Sequence, residues 1–182
     1  LGALVDQSDL KRTSLSEIVS RYIREVTPRK LGREQEAISL TAFLRNRLCR
    51  KTLYDLSPRD FASYRDQRLR AVKPSTVKRE FANLHNVFEV ARREWNYPLQ
   101  NPLAEIKISE ANTHRERRLK EGEFLLLMKA THGCNPVVRR AVIFALETGM
   151  RRGEILAIEW ELIDWFEPSL LIPRTKNGHA RT

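Results

Sequence analysis

The feature that most constrains the fold is a series of four helical segments between Ser14 and Trp95. In each segment apolar residues recur three or four positions apart, which places them on one face of an α-helix. Prolines stand at the breaks between segments, where they end one helix or begin the next. Because the connections are short, the four helices are expected to pack as one compact bundle over residues 14–104.

The first three helices are predicted from their start signals and their apolar faces. Ser14–Glu17 is a capping-box pattern, and Pro28 ends the first helix. A second helix is expected over residues 33–48, and Ser57 followed by Pro58 begins the third. The residues expected to face the core are Leu15, Ile18, Val19, Tyr22, Ile23 and Val26 in the first helix, Ala37, Leu40, Leu44 and Leu48 in the second, and Phe61, Tyr64 and Leu69 in the third.

The fourth helix, which Lys73-Pro74-Ser75 is expected to cap, combines a long apolar face with a basic and amide-rich face. The apolar positions are Val77, Phe81, Leu84, Phe88, Ala91 and Trp95, and the opposite positions are Lys78, Arg79, Asn83, Asn86 and Arg93. In a duplex groove such cations contact phosphates and such amides reach base edges. An ordinary amphipathic helix with a solvated polar face has the same pattern, so the helix alone leaves both interpretations open.

Composition narrows the class of partner. The chain has 33 Lys and Arg against 23 Asp and Glu, a formal net charge of +10. A polyanion is the natural partner of such a chain, and a solvated basic surface without a polyanionic partner fits the composition equally well. No apolar run approaches the roughly 20 residues that span a bilayer, and the first residues lack a signal-peptide pattern. Cys49 and Cys134 lie far apart, and no Cys/His cluster has metal-ligand spacing. We therefore expect a cytoplasmic protein with no membrane partner and no metal site.

Two segments are predicted to be connections rather than folded elements. Residues 1–13 are predicted to form an N-terminal tail, and residues 105–118 a polar, basic linker without helical periodicity. The linker contains Arg115, Arg117 and Arg118. These arginines could lie along a phosphate backbone, or they could simply keep the linker solvated.

A second domain is expected over residues 119–182. Helices are predicted for residues 120–132 and 135–146 and a short one for residues 152–159, with Gly149 just past a helix end. Val138, Ala141, Val142, Ala145 and Leu146 are expected to be buried. Strands are predicted for residues 162–166 and 170–172 around a turn at Glu167-Pro168-Ser169. Asn177-Gly178 is a hairpin signal, and it places Lys176 at the tip of a β-hairpin.

A resemblance to a known family rests on three parts of this sequence. ALETGMRRGEIL closely resembles the first active-site box of the tyrosine recombinases, the phage integrase family, in which a Thr-Gly-x-Arg-x-x-Glu core follows an apolar helix. TKNGHART resembles the hairpin that carries the family's catalytic lysine, and the helical front half resembles the core-binding domain. The resemblance implies a mainly α fold: a four-helix, SAM-like core-binding bundle followed by a truncated α+β catalytic domain.

The resemblance also implies roles for individual residues. Arg151 matches the first catalytic arginine, Glu154 the acidic residue that supports it, and Lys176 the hairpin lysine. Taken alone, Arg151 could instead form a structural ion pair with Glu154 or Glu147, and Lys176 could be a solvated turn lysine. The residues expected to contact DNA are Lys73, Ser75, Thr76, Lys78, Arg79, Asn83, Asn86, Arg115, Arg117, Arg118 and Arg152. The family's chemistry uses no cofactor.

The rest of the family's active site has no match here. The later His-x-x-Arg pair, a His or Trp, and the tyrosine nucleophile would lie beyond Thr182. The tyrosines present, all before Arg151, are Tyr22, Tyr54, Tyr64 and Tyr97. We therefore expect a bacterial or phage-encoded, nucleoid-associated recombinase that assembles as a tetramer in its complete form, and a 182-residue chain that binds duplex DNA without cleaving it. The alternatives are a non-catalytic DNA-binding regulator and a helical protein-interaction module.

Overall fold

The computed structural model describes residues 7–108, 117–173, 175 and 178–182. The chain divides into two compact units, Leu1–His114 and Arg115–Thr182. Each unit is described by itself. In the part of the chain that the structure describes, no helix combines the length and the apolar character needed to cross a bilayer.

The described residues of the first unit form helices and one isolated antiparallel bridge, between Ser14 and Thr52. Short 3₁₀ turns at Thr27–Arg29 and Arg47–Arg50 follow its second and third helices. The helices are α1 (Ser8–Arg12), α2 (Leu15–Glu25), α3 (Arg33–Phe43), α4 (Pro58–Leu69) and α5 (Pro74–Arg93). Helix α1 was not among the predicted elements, and its Leu10 is buried in the core of the unit. Ile106 and Ile108 also pack against this core, so the start of the predicted linker is in contact with the bundle.

Side-chain capping explains where α2 begins and where one prediction is wrong. The Ser14 hydroxyl accepts a hydrogen bond from the Glu17 amide (3.3 Å), and the Glu17 carboxylate accepts one from the Ser14 amide (2.7 Å), which confirms the capping box. The second predicted helix was too long, because α3 ends at Phe43 instead of residue 48. Asn46 causes the break: its side-chain oxygen accepts a hydrogen bond from the Leu48 amide (2.9 Å) and starts a 3₁₀ turn.

Aromatic side chains fill the core between α3, α4 and α5. Phe61 is fully buried and meets Phe88 edge-to-face at 5.5 Å between ring centroids. Tyr64 stacks on Phe81 at 5.8 Å. Such pairs add roughly 0.5–1.5 kcal/mol beyond the area they bury. The predicted inner face of α5 is thus confirmed, except that Trp95 lies beyond the helix and is only partly buried.

The second unit is smaller and mixes helices with a short hairpin. Its strands are antiparallel, with Ile163 opposite Leu170 and Asp164 opposite Ser169. Farther along, Ile172 and Arg181 form an isolated antiparallel bridge. The elements are α6 (Glu123–Ala130), α7 (Pro136–Thr148), α8 (Arg152–Ile155), a 3₁₀ turn (Trp160–Leu162), β1 (Ile163–Asp164) and β2 (Ser169–Leu170).

The strands and the last helix are shorter than predicted. The Asp164 carboxylate accepts hydrogen bonds from the amides of Phe166 (2.9 Å) and Glu167 (3.1 Å), so the chain turns directly after β1. An Asp that bonds the backbone two residues on is a common way to start a turn. Ser169, predicted in the turn, therefore belongs to β2.

Burial on α7 was predicted incorrectly. Val138 is 46% exposed and Leu146 is 42% exposed, and none of the residues of α7 is fully buried. Ala141, Val142 and Ala145 are half-buried. Apolar spacing identifies the face of a helix that can be buried, but burial also requires an element that covers this face, and the described residues cover only part of it.

Candidate active site

The site begins where α7 ends. The Gly149 amide donates to the Ala145 carbonyl (3.0 Å), and Gly149 has φ +64°, a left-handed conformation that glycine adopts without a steric penalty. This confirms the predicted helix end. The Thr148 hydroxyl donates to the Phe144 carbonyl (2.6 Å). The reversal brings Arg151 to the position just before the first residue of α8.

Glu154 contacts Arg151 in two ways. One carboxylate oxygen, Oε2, accepts from the Arg151 amide (2.9 Å), and the other, Oε1, accepts from Arg151 Nη1 (2.9 Å). The Glu154 side chain is 6% exposed, whereas the Arg151 side chain is 56% exposed. A buried carboxylate therefore holds a guanidinium whose other donors remain open to a ligand. Glu147, the alternative partner, forms no ion pair with Arg151 among the described residues.

Arg181 is a third member of this cluster that the sequence did not reveal. Its Nη2 donates to Glu154 Oε2 at 2.8 Å, across 27 positions of the chain. The backbone of Arg181 is fixed by two hydrogen bonds to Ile172, at 2.7 and 3.0 Å. No local spacing signals such a contact. The only available signal was an arginine on the strand after the predicted hairpin turn.

These contacts keep Glu154 ionised. The hydrogen bond from the Arg151 amide, then the guanidinium groups of Arg151 and Arg181, lower the pKa of the Glu154 carboxyl below its ordinary value of 4.5, against a smaller opposing effect of burial. An anionic carboxylate accepts stronger hydrogen bonds from a guanidinium than a neutral acid does. The cluster is thus suited to present guanidinium groups that a shared carboxylate holds in place to an anionic ligand.

Lys176, together with Asn177, lies outside the described residues. On either side of it, the Gly178 amide donates to the Thr175 carbonyl (3.0 Å) and the Thr175 amide donates to the His179 carbonyl (3.3 Å). The role of Lys176 stays a prediction.

The predicted DNA-contact residues fall in both units. Lys73, Ser75, Thr76, Lys78, Arg79 and Asn86 are exposed at the start and along the outer face of α5, and Asn83 is half-buried there. In the second unit Arg118 and Arg152 are exposed, and the Arg117 guanidinium pairs with Glu123 at 2.5 Å. Arg115 lies outside the described residues.

A basic groove in the first unit was missed by sequence reasoning. An open groove of about 720 Å³ is lined by three arginines, one acidic residue and three uncharged polar residues: Arg45, Arg47, Arg70, Asp66, Asn46, Ser63 and Gln67. An adjoining groove of about 550 Å³ shares Arg45 with it and reaches Thr76 and Arg79 on α5. The basic face of α5 therefore continues toward α4. Its residues come from separate elements, so no single helix showed the face.

Comparisons of the sequence with known protein families identify the family of this chain. The profile of the phage integrase N-terminal domain matches residues 11–108, and that of the phage integrase family matches residues 117–182. The chain belongs to the phage integrase family. The resemblance of the Arg151 box is therefore confirmed at the level of the family, which comprises site-specific recombinases and integrases.

Individual relatives agree with this assignment. A shufflon-specific DNA recombinase of Escherichia coli is 33% identical over 180 residues, which cover 94% of this chain and 47% of that protein. A lambda integrase dimer bound to a COC′ core site has the same fold, with a TM-score of 0.81 and 21% identity over 96% of this chain and 49% of that one. A lambda integrase tetramer bound to a Holliday junction gives a TM-score of 0.79, with 21% identity over 93% of this chain and 48% of that one. The predicted fold class is confirmed. The integrase chain spans about half the length of the relatives it matches.

Proposed function

We propose that this phage integrase chain is the DNA-binding part and the first part of the active site of a site-specific recombinase that breaks and rejoins duplex DNA through a 3′-phosphotyrosyl intermediate. The observation that carries the proposal is the exposed Arg151 guanidinium held by the buried Glu154 carboxylate. The proposal extends to the complete protein, because the chain covers only about half of its relatives.

Arg151 stabilises the transition state of strand cleavage. A tyrosine oxygen attacks phosphorus, the bond from phosphorus to the 5′-oxygen breaks, and negative charge builds on the two non-bridging oxygens. A guanidinium meets such oxygens with two parallel donors and stays charged at any working pH. A fixed donor of this kind contributes about 3 kcal/mol to transition-state stabilisation. Glu154 holds the Arg151 guanidinium in position, because its Oε1 accepts a hydrogen bond from Arg151 Nη1 at 2.9 Å.

Lys176 protonates the leaving 5′-oxygen in this proposal. An ammonium is a suitable general acid, and its pKa responds readily to its surroundings. The phosphotyrosyl bond conserves the energy of the broken linkage, so the reaction consumes no nucleotide.

The nucleophile comes from outside these 182 residues. All four tyrosines of the chain precede residue 98, in the first unit. Tyr22 and Tyr64 are buried in its core, and burial raises the pKa of both phenols, which makes a reactive phenolate less accessible. The chain alone therefore binds DNA and leaves both strands intact.

The basic face from Arg70 through Arg45 to Arg79 binds the duplex. The two grooves along this face bring cations from α4, the turn after α3 and α5 onto one surface, where they can follow a phosphate backbone. Asn83 and Asn86 on α5 are the candidates for base contacts. The complete recombinase assembles on DNA, in line with the dimer and tetramer complexes of lambda integrase.

The test of the function uses the gene product that contains this chain. It is incubated with supercoiled DNA carrying the ends of its mobile element, and denaturing gels detect a covalent protein–DNA adduct. We expect the wild-type protein to form the adduct and Arg151→Ala to lower its rate by at least about 10²-fold, with little change in DNA affinity.

Arg139→Ala is the matched control, since Arg139 is an exposed arginine on α7 outside the cluster. Its adduct rate should equal that of the wild type. Adduct formation by Arg151→Ala at the wild-type rate would remove Arg151 from the active site. Absence of an adduct with the wild-type gene product would overturn the recombinase proposal itself.

A further inference from the structure

Three donors from two distant segments converge on one buried carboxylate. Glu154 Oε1 accepts from Arg151 Nη1, and Glu154 Oε2 accepts from the Arg151 amide and from Arg181 Nη2. We propose that Arg181 is a positioning residue: it orients the Glu154 carboxylate so that Arg151 is held ready for the scissile phosphate. The inference rests on the proposed function, because it gives Arg181 a part in the same reaction.

The first argument is that the two carboxylate oxygens of Glu154 have different partners. Arg181 and the Arg151 amide both bind Oε2, so the carboxylate plane is fixed and Oε1 is left to the Arg151 guanidinium. Without Arg181, a single backbone hydrogen bond would hold Oε2, and the carboxylate could rotate about its last torsion, which is intrinsically soft. The Arg151 side chain, 56% exposed, could then turn toward solvent.

The anchoring of Arg181 is the second argument. Its backbone exchanges two hydrogen bonds with Ile172, at 2.7 and 3.0 Å, and Ile172 is buried. A guanidinium on a fixed backbone loses less conformational freedom when it binds than one on a mobile loop. Arg181 is therefore placed to hold the first turn of α8 against the later strand segment, although 27 residues separate the two in sequence.

Charge is the third argument. The Glu154 side chain is 6% exposed, and a carboxylate that far from water needs compensating donors. If one of the two arginines is lost, the remaining arginine alone neutralises the Glu154 carboxylate.

A direct role for Arg181 as a phosphate ligand is the alternative, since its side chain is 44% exposed.

The experiment compares wild type, Arg181→Ala, Arg181→Lys and the control Arg139→Ala. On the 182-residue chain, carbon-13 NMR follows the titration of the Glu154 carboxyl, and fluorescence anisotropy gives the affinity for duplex DNA. On the gene product that contains the chain, single-turnover assays give the cleavage rate.

We expect Arg181→Ala to raise the titration midpoint of Glu154 and to slow cleavage by at least about tenfold, the cost of one hydrogen bond to a charged group. Affinity for DNA should stay within twofold of wild type. Arg181→Lys, which keeps the cation, should restore part of both the titration and the rate, and Arg139→Ala should change neither. The lysine variant also answers the question if the alanine variant does not fold.

Two results would overturn the inference. One is an unchanged Glu154 titration in both Arg181 variants. The other is a loss of DNA affinity that accounts for the whole loss of cleavage, which would make Arg181 a phosphate ligand. The titration needs no catalysis, so it tests the Arg181–Glu154 contact even if the wild-type gene product fails to cleave, whereas the cleavage rate at unchanged DNA affinity tests the positioning role. That failure would count against the proposed function alone.

Discussion

At the scale of single residues, carboxylates determine how this protein responds to pH. Glu89 on α5 accepts hydrogen bonds from the side-chain amide of Asn101 (Nδ2, 3.0 Å) and from Arg92 (2.9 Å), and it pairs with Arg93 at 2.9 Å. The Asn101 amide first, and then the Arg92 guanidinium, lower the pKa of the Glu89 carboxyl to about 2. Through this hydrogen bond, Glu89 links the segment around Asn101, which follows α5, to α5.

This shift predicts a definite pH dependence of stability. The folded-state pKa of Glu89 is below its ordinary value of 4.5, so its contribution is complete above about pH 4.5 and is lost as the pH falls toward 2. Glu89→Gln should therefore destabilise the chain at pH 7, and its difference from wild type should shrink steadily below pH 4.5. Urea unfolding at pH 7, 4, 3 and 2 measures this, with the exposed Glu94→Gln as control.

A constant difference between Glu89→Gln and wild type across that range would contradict the assignment. Equal effects of Glu89→Gln and Glu94→Gln at pH 7 would do so as well, because the partners of Glu89 would then contribute nothing.

The family resemblance pointed only to the local half of the candidate site. Arg151 and Glu154 stand three positions apart after a Thr-Gly helix end, so their contact follows from the geometry of one helical turn. Arg181 reaches the same carboxylate through the bridge to Ile172. That contact depends on how two segments pair in three dimensions, and short-range spacing does not carry this information.

At the scale of elements, the starts of the predicted helices were easier to identify than their ends. The capping box at Ser14 and the Asn135 cap of α7 involve side chains and amides within three positions, so sequence patterns identify them. The end of α3 could not be predicted from apolar spacing, because Leu44 and Leu48 continue this spacing beyond the last residue of the helix. Asn46 interrupts the helix with a side-chain hydrogen bond that competes with helical pairing.

The Ser14 cap gives a prediction for this scale. Ser14→Ala removes the oxygen that accepts from the Glu17 amide, so we expect the free energy of unfolding to fall by about 1 kcal/mol. Ser20→Ala is the matched control, because Ser20 is exposed in the middle of α2, where alanine favours the helix. Urea denaturation compares both variants with wild type. A loss as large in Ser20→Ala as in Ser14→Ala would show that the cap has no special effect.

At the scale of the whole molecule, the two units differ in how far burial could be predicted. The first unit closes its apolar faces on one core, so the spacing of apolar residues anticipated most of the buried positions. In the second unit Trp160 is 74% exposed and Trp165 is 72% exposed, and Val137, Ala141 and Phe144 of α7 line an open groove of about 1010 Å³. The family resemblance gave the fold of both units, since it depends on motifs and element order rather than on burial.

The net charge of +10 and the two grooves that Arg45, Arg47, Arg70 and Arg79 line, together with Asp66 and Glu80, make duplex binding the central claim. The most direct measurement is the affinity of the 182-residue chain for a labelled duplex, by fluorescence anisotropy, as a function of salt. If about 6 phosphates are neutralised, log affinity against log salt should have a slope of about −5. Arg79→Ala should make that slope shallower by about 1. Arg24→Ala, an exposed arginine on α2 that lines neither basic groove, should leave it unchanged. A flat salt dependence, or no binding at moderate salt, would contradict the claim and favour a helical module that binds an acidic protein.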